Sequence, residues 1–194
     1  MGEPAQEKDD QYTYGDYLQW DDGKRWELID GKAVAMTPAP SRLHQEIVME
    51  LGRQFANYLL GRTCKVYTSP FDVRLPLEGE SAEETKNVVQ PDLVLVCDPR
   101  KLDEKGCQGA PDLVIEILSP ETAKYDLSVK LRLYEQAGIG EYWIIHPMEG
   151  TLLAFHLKQG EYGKPKVYAY PDRVPVKALP EFTLDLSTVF LGNK

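Results

Sequence analysis

Two short apolar segments carry acidic residues where a buried strand would normally have hydrophobic ones. They are residues 90–96, with the sequence QPDLVLV, and residues 111–118, with the sequence PDLVIEIL. Each has the length and β-branched content of a strand that fills the interior of a sheet. A buried carboxylate is costly unless it is paired or bound to a metal. Asp92 in the first segment and Glu116 in the second therefore need a partner, and a shared divalent cation is the simplest one.

Length and composition predict a chain with a core of its own. The chain has 194 residues, 42% of them hydrophobic, and no internal repeat or linker divides it. We predict a flexible acidic tail at residues 1–11 and one domain at residues 12–194. No apolar run reaches the length of a membrane span, and the polar N-terminus does not resemble a targeting peptide. We therefore expect a cytoplasmic protein that does not bind membranes.

The three cysteines, Cys64, Cys97 and Cys107, lack the spacing of a metal site. An odd number cannot all pair within one chain, which suits a reducing cytosol. Cys97 continues the first acidic strand, and we interpret it as an ordinary core residue.

The formal net charge of −9 weighs against a protein that coats nucleic acid without specificity, because neutralising phosphates needs a surplus of Lys and Arg. The charge does not exclude an enzyme that acts on nucleic acid. Metal-binding carboxylates are themselves negative, and a dimer can concentrate its few basic residues in one groove.

The order of the predicted elements indicates a mixed sheet with flanking helices. Asp30-Gly31 is typical of a tight hairpin turn, and Ser41 is a suitable N-cap for a long helix that ends near Leu60. The other predicted elements are a helix at 12–20, a strand at 64–75, a loop at 78–87, the two acidic strands with a charged loop at 99–109 between them, a helix at 122–137, and strands at 141–145, 151–157, 165–170 and around 182–184. We predict an α/β (α+β) fold with an N-terminal hairpin and C-terminal strands.

Asp92 and Glu116 are candidate ligands of one Mg²⁺ if their strands are neighbours, since this cation prefers oxygen ligands and keeps several waters. Asp112 lies on the same face of its strand as Glu116, but we interpret it as a solvated strand end. The residue pattern alone leaves an alternative open, in which two strand-edge carboxylates pair with Lys or Arg.

Lys130 is the third candidate. Asp126, Lys130 and Tyr134 recur every four residues on the predicted helix at 122–137, so they could face the sheet. A lysine there could activate a water molecule or stabilise negative charge in a transition state. An ordinary surface pair between Asp126 and Lys130 explains the same spacing and would add a few tenths of a kcal/mol.

His44 and Glu46, in the first turn of the long helix, could approach the metal from the opposite side. A single histidine beside an N-cap is more often structural or exposed. His146 and His156 show no ligand spacing, and we interpret them as strand or loop residues.

Three blocks of the sequence together resemble a bacterial family of restriction endonucleases within the PD-(D/E)XK nuclease superfamily. The blocks are residues 26–45, 90–120 and 125–144, and they contain WELIDG, QPDL with PDLVIEILSP, and EYWI. The resemblance implies a restriction-endonuclease-like core that holds Mg²⁺ or Mn²⁺. It implies that Asp92 and Glu116 are metal ligands, with the Ile117 carbonyl as a further one. His44 would be an additional ligand, with Glu46 as the alternative.

One position departs from the superfamily pattern. The superfamily lysine would stand two residues after Glu116, where this chain has Leu118. A hydrophobic side chain can neither position water nor stabilise a developing anion. The resemblance suggests that the lysine has moved to the following helix, where Lys130 is the first choice and Lys124 the second.

The leading hypothesis is a Mg²⁺-dependent endonuclease that cuts DNA with Asp92, Glu116 and Lys130, leaving 5′-phosphate and 3′-hydroxyl ends. The alternative is a nuclease fold that cuts nothing and binds DNA or another protein. The net charge and the displaced lysine favour the alternative, whereas the Asp92–Glu116 pair favours the enzyme. Hydrolysis of RNA or of a small phosphodiester stays open. We expect a homodimer, because cutting both strands usually needs two active sites.

Overall fold

The computed structural model describes residues 11–36 and 40–190. Its helices are α1 Tyr14–Tyr17, α2 Arg42–Leu59, α3 Ala123–Tyr125, α4 Leu131–Gln136 and α5 Leu186–Val189, with a 3₁₀ turn at Pro99–Lys101 and a π-helical segment at Asp126–Lys130. Its strands are β1 Trp26–Ile29, β2 Lys32–Ala35, β3 Lys65–Thr68, β4 Val73–Arg74, β5 Val88–Val89, β6 Leu93–Val96, β7 Leu102–Asp103, β8 Gly106–Gln108, β9 Leu113–Ile117, β10 Glu141–His146, β11 Thr151–Lys158, β12 Glu161–Tyr162, β13 Lys166–Ala169, β14 Arg173–Val176 and β15 Leu179–Asp185. The tail predicted at 1–11 lies outside the described residues except for Gln11.

A seven-stranded mixed sheet is the centre of the fold. Its strand order is β12-β11-β10-β9-β6-β3, and β13 also pairs with β11. The two acidic strands, β6 and β9, are antiparallel neighbours, while β9 and β10 run parallel. A six-stranded sheet in the order β2-β1-β5-β4-β8-β7 and the pair β14-β15 complete the strands. The predicted mixed sheet with flanking helices is confirmed.

Alternate residues of β6 and β9 point into two different cores. The core beneath α2 receives Leu93, Leu95, Leu113, Ile115 and Ile117 from these strands. The opposite core, which includes Leu133 and Tyr134 of α4, receives Val94, Val96 and Val114. Glu116 therefore lies on the α4 face of the sheet, two residues after Val114.

Helix α2 and the first hairpin follow their sequence signals. The Ser41 hydroxyl accepts a hydrogen bond from the His44 backbone N–H, and a buried stripe of α2 packs on the sheet. The hairpin turn has positive φ at Asp30 and Gly31, which Asp-Gly turns favour. Among the described residues, none of the helices has the length and apolar character needed to cross a membrane.

Two predicted elements were wrong. The predicted strand at 64–75 is two strands, because Pro70 has no N–H to continue a ladder, and β4 joins the second sheet. The predicted loop at 99–109 contains the hairpin β7-β8, which pairs with β4. Such nonlocal pairing stabilises short polar strands that have no local signal.

The interpretation of Cys97 as an ordinary core residue was wrong, since it forms a disulfide with Cys64. Strands β3 and β6 pair with Lys65 opposite Val96, so the two cysteines lie side by side just beyond that pair. Cys107 is free and buried.

Candidate active site

A cleft of about 650 Å³ lies where β6 begins and β9 ends, between the start of α2 and the π-helical segment. The cleft is lined by all the predicted site residues, which are His44, Asp92, Glu116, Ile117 and Lys130. They come from helix α2, the start of β6, strand β9 and the π-helical segment, which are distant in sequence.

Strand pairing brings Asp92 beside Glu116. Leu93 pairs with Ile115 across β6 and β9, which places the preceding Asp92 opposite Glu116. The Asp92 backbone N–H points to Glu116 Oε2 at 3.4 Å, and the Ile117 N–H donates to Asp92 Oδ2 at 2.8 Å. The Asp92 carboxylate is thus fixed by the backbone of the neighbouring strand.

Glu116 receives its partners from the helical region above the sheet. Its Oε1 accepts a hydrogen bond from Lys130 Nζ at 2.9 Å and another from the Tyr134 hydroxyl at 2.8 Å. Lys130 is only 5% exposed and Asp126 only 3%. The alternative of an exposed Asp126–Lys130 pair is therefore wrong.

The π-helical segment explains how this polar pair faces inward. Asp126 and Lys130, its first and last residues, are buried, whereas Leu127 and Val129 between them are each 38% exposed. Isolated π-helical turns occur frequently at functional sites, where they reorient side chains. Here the segment exposes two apolar residues and buries two charged ones.

Glu27 also belongs to the site, although the sequence analysis did not identify it. Its Oε1 lies 2.9 Å from Lys130 Nζ and accepts a hydrogen bond from the Gln90 backbone N–H at 2.9 Å. The available signal was the same one that marked Glu116, a carboxylate among the apolar residues of a strand. Tyr134 was also missed as a partner of Glu116, despite lying one helical turn after Lys130.

Burial and charge oppose each other throughout this cluster. Burial raises the pKa of Glu116 and of Asp126, while the nearby Lys130 ammonium lowers both values and so favours the charged carboxylates. Burial disfavours the charge on Lys130, but Glu116, Glu27 and Asp126 raise the pKa of this ammonium well above its ordinary value. Lys130 is therefore held as a cation among carboxylates.

His44 reaches the cluster from α2. Its Nε2 lies 3.2 Å from Asp92 Oδ2, so the ring contacts the aspartate. Two buried polar atoms at the cleft, His44 Nδ1 and the Tyr125 hydroxyl, have no hydrogen-bond partner within the described ranges 11–36 and 40–190. Buried polar atoms of this kind call for water, an ion or a ligand.

The alternative candidates lie elsewhere. Glu46 is exposed and pairs with Arg42, and Lys124 is exposed on α3. Asp112 is half-buried at the start of β9 and accepts a hydrogen bond from the Cys97 N–H at 2.7 Å, away from the cleft. Leu118 is 9% exposed and packs in the core on the α4 face. Asp112 was expected to be solvated, but its carboxylate binds the backbone N–H of Cys97 instead.

The donor set fits a divalent cation of the Mg²⁺ type. Five carboxylate residues line the cleft together with the Lys130 ammonium and the Arg25 guanidinium; they are Glu27, Asp92, Glu116, Glu121 and Asp126. Within the described residues, no three Asp, Glu, His or Cys side chains form a ready-made metal cage. Mg²⁺ is typically held by one or two carboxylates and completes its shell with water and substrate phosphate. Asp92 and Glu116 are suited to that arrangement.

Comparison with known proteins identifies the family. The family model Uma2, described as "Putative restriction endonuclease", matches residues 14–187. The chain belongs to the Uma2 family. This membership confirms the resemblance that the sequence blocks indicated.

Two further proteins resemble this Uma2 member. An uncharacterized protein of Synechocystis sp., slr1290, is 37% identical over 123 residues, and the chain spans only 60% of that relative. A crystal structure of "a putative nuclease belonging to DUF820" from Anabaena variabilis has a TM-score of 0.72 and 22% identity, with 92% of this chain and 97% of that chain covered. At 22% identity, the likeness to the Anabaena variabilis structure shows a shared fold only.

Proposed function

We propose that this protein is a divalent-metal-dependent endonuclease that hydrolyses phosphodiester bonds of DNA. The proposal rests mainly on one observation: Asp92 and Glu116, on adjacent strands with the Asp92 N–H 3.4 Å from Glu116 Oε2, line a cleft that also holds the buried Lys130 ammonium. Family membership and the fold of the Anabaena variabilis structure support nuclease chemistry.

Asp92 and Glu116 would hold the cation, with the Ile117 carbonyl and His44 as further candidate ligands. When bound, Mg²⁺ or Mn²⁺ would polarise the phosphate and lower the pKa of a bound water. Other groups of the chain orient these ligands: the Ile117 N–H fixes Asp92, while the Tyr134 hydroxyl and Lys130 Nζ fix Glu116. Ordered supporting contacts of this kind are typical of metal sites.

Lys130 would supply a fixed positive charge next to Glu116. A preorganised cation in a water-poor site stabilises negative charge that develops in a transition state. The lysine need not stand at position 118, because Lys130 reaches the Glu116 carboxylate from the π-helical segment. Lys130 would thus provide the ammonium that strand β9 lacks at Leu118.

The proposal is tested by nicking of supercoiled plasmid DNA in Mg²⁺ or Mn²⁺. Wild type should nick the plasmid, and chelation with EDTA should stop it. Asp92→Asn and Glu116→Gln, which keep side-chain size but remove a charge, should each lower the rate at least about a hundredfold, the scale of losing a fixed catalytic group.

Asp112→Asn is the matched control, since it changes the other Pro-Asp pair without touching the cleft. It should retain the wild-type rate. Equal residual cleavage by wild type, Asp92→Asn and Glu116→Gln would overturn the nuclease proposal and favour a non-catalytic binding module.

A further inference from the structure

A second cavity of about 460 Å³ adjoins the catalytic cleft. Pro70 and Gln90 line both spaces, so the two are neighbours with a shared wall. The Ser69 N–H donates to the Asp92 carbonyl at 3.2 Å, which attaches the loop before Phe71 to the catalytic strand. The cavity is therefore held at a fixed position relative to Asp92.

An aromatic pair forms one side of this second cavity. The rings of Tyr67 and Phe71 stack with centroids 4.2 Å apart and an interplanar angle of 3°. Both residues are half-buried and both line the cavity. Flat, partly exposed aromatic rings are the surfaces on which proteins stack unpaired nucleobases.

Asp72 is held rigidly next to that pair. Its Oδ1 accepts hydrogen bonds from Gln90 Nε2 at 2.8 Å and from the Tyr17 hydroxyl at 3.3 Å. Its carbonyl accepts from the Cys107 N–H at 2.8 Å, and a Cβ at Gly106 would lie 2.2 Å from that same oxygen. Only glycine permits this close approach, so β8 is fixed against Asp72.

The Gln90 side chain connects the two spaces. Its Oε1 accepts from Arg25 at 2.6 Å on the catalytic side, while its amide nitrogen donates to Asp72 on the other side. Arg25 also contacts the Ser69 hydroxyl. These hydrogen bonds form a fixed wall between the cleft and the second cavity. A substrate that occupies both spaces would pass along this wall.

The charge of the second cavity discriminates between the parts of a nucleotide. Asp72, Asp103 and Glu104 line the cavity with Lys105, and Arg74 pairs with Asp103 at 2.7 Å, so carboxylates exceed cations by one. This small excess favours a hydrogen-bond donor over a phosphate as the occupant. Carboxylates accept hydrogen bonds from exocyclic amino groups, such as the N6 amino group of adenine and the N4 amino group of cytosine.

We propose that this cavity binds an unpaired, amino-bearing nucleobase of the DNA strand whose phosphate lies in the catalytic cleft. The proposal rests on the proposed nuclease function and names its substrate class: DNA with a base outside the duplex stack, rather than fully paired DNA. Tyr67 and Phe71 provide the stacking surface, and Asp103 and Glu104 provide the acceptors, while Asp72 keeps its bonds to Gln90 and Tyr17.

The experiment measures binding by fluorescence anisotropy in Ca²⁺, independently of cleavage. Three short DNA duplexes are compared: one with a single unpaired adenine, the same duplex with an abasic site at that position, and a fully paired duplex. Wild type should bind the unpaired adenine about fivefold to a hundredfold more tightly than the other two, the range that base–aromatic stacking spans. Equal binding of the three duplexes by wild type would overturn the proposal without any variant.

Phe71→Leu and Tyr67→Leu keep an apolar side chain but remove an aromatic ring, and each should abolish the preference. Tyr170→Leu is the matched control, because Tyr170 is 46% exposed and lines neither space. A preference that survives in folded Phe71→Leu and Tyr67→Leu would overturn the proposal. Cleavage without any preference would defeat this inference alone, whereas a preference without cleavage would defeat only the nuclease proposal.

Discussion

Lys130 is both the proposed catalytic lysine and the compensating charge for three buried carboxylates. Its Nζ lies 2.9 Å from Glu27, 2.9 Å from Glu116 and 3.8 Å from Asp126. Removing it leaves buried negative charges without their partner, which is far more damaging than removing a surface charge. A loss of activity in a single variant would therefore not separate catalysis from stability.

We predict that Lys130→Met lowers the free energy of unfolding by about 3–5 kcal/mol, the usual cost of breaking a buried ion pair. The double variant Glu27→Gln/Lys130→Met should regain part of that loss, because one of the uncompensated charges is gone. Urea unfolding followed by circular dichroism measures both values. A single variant as stable as wild type would contradict this account of the cluster.

The same pair of variants assigns the role of Lys130 in cleavage. If the ammonium acts on the reaction, the folded double variant should stay inactive in the plasmid assay. Glu27→Gln alone supplies the reference rate, because it keeps Lys130 and an oxygen that can still accept the Gln90 N–H, so the double variant differs from it only by the ammonium. Recovery of activity in the double variant would reduce Lys130 to a structural residue.

At the scale of elements, Glu141, the first residue of β10, binds the C-terminal strands to the central sheet. It is 1% exposed, its Oε1 accepts from Trp143 Nε1 at 2.9 Å, and its Oε2 accepts from the Lys177 N–H at 3.0 Å. Lys177 lies between β14 and β15. The carboxyl therefore anchors the end of the fold to the central sheet.

We predict that Glu141 makes stability depend on pH. Burial raises the pKa of Glu141 from 4.5 to about 7, so the folded state binds its proton more tightly than the unfolded state. The resulting stabilisation is complete below pH about 4.5 and is lost as the pH rises through about 7, a change of about 3 kcal/mol. Urea unfolding across this range measures it.

Glu141→Gln is the control, because an amide of the same size cannot ionise. Comparing its unfolding free energy with that of wild type at each pH removes the contributions of Glu116 and Asp126, whose pKa values are also raised. The difference between the two proteins should change by about 3 kcal/mol between the two ends of the range. Parallel pH profiles would show that Glu141 does not titrate there.

The elements also show what sequence patterns can reveal. Helix α2, the Asp-Gly hairpin and strands β6 and β9 have strong local signals, and the structure contains each of them. The short strands β4, β7 and β8 depend on pairing with distant segments, which no local pattern encodes. The π-helical segment was equally hidden, because a spacing of four residues is also that of an ordinary α-helix.

The sequence predicted site residues by two kinds of signal. Asp92 and Glu116 stood out as carboxylates in apolar strands, whereas Lys130 was a candidate through its spacing from Asp126 and Tyr134 and, by the resemblance, through the missing lysine at Leu118. Glu27 gave the same local signal but lacked a partner in the sequence, since it meets Lys130 through tertiary structure alone. The contact between Glu27 and Lys130 could be identified only from the folded structure.

At the scale of the whole molecule, a net charge of −9 opposes close contact with DNA. Affinity from lysine–phosphate contacts alone would be weak and strongly dependent on salt. Divalent cations in the cleft could supply the missing attraction. A second subunit would bring the same net charge and could help only by placing basic residues of both chains in one groove. The expected homodimer stays a prediction.

We predict that a dimer cuts both DNA strands with one cleft from each subunit. Mixing wild type with an excess of Glu116→Gln should then convert the plasmid product from linear to nicked DNA, since most active dimers would hold only one intact site. Sedimentation should show twice the chain mass at the assay concentration. The matched control mixes wild type with the same excess of Asp112→Asn, whose own sites are active, so the product should stay linear. Linear DNA that persists in the first mixture, at the rate set by wild type alone, would mean that each chain cuts independently.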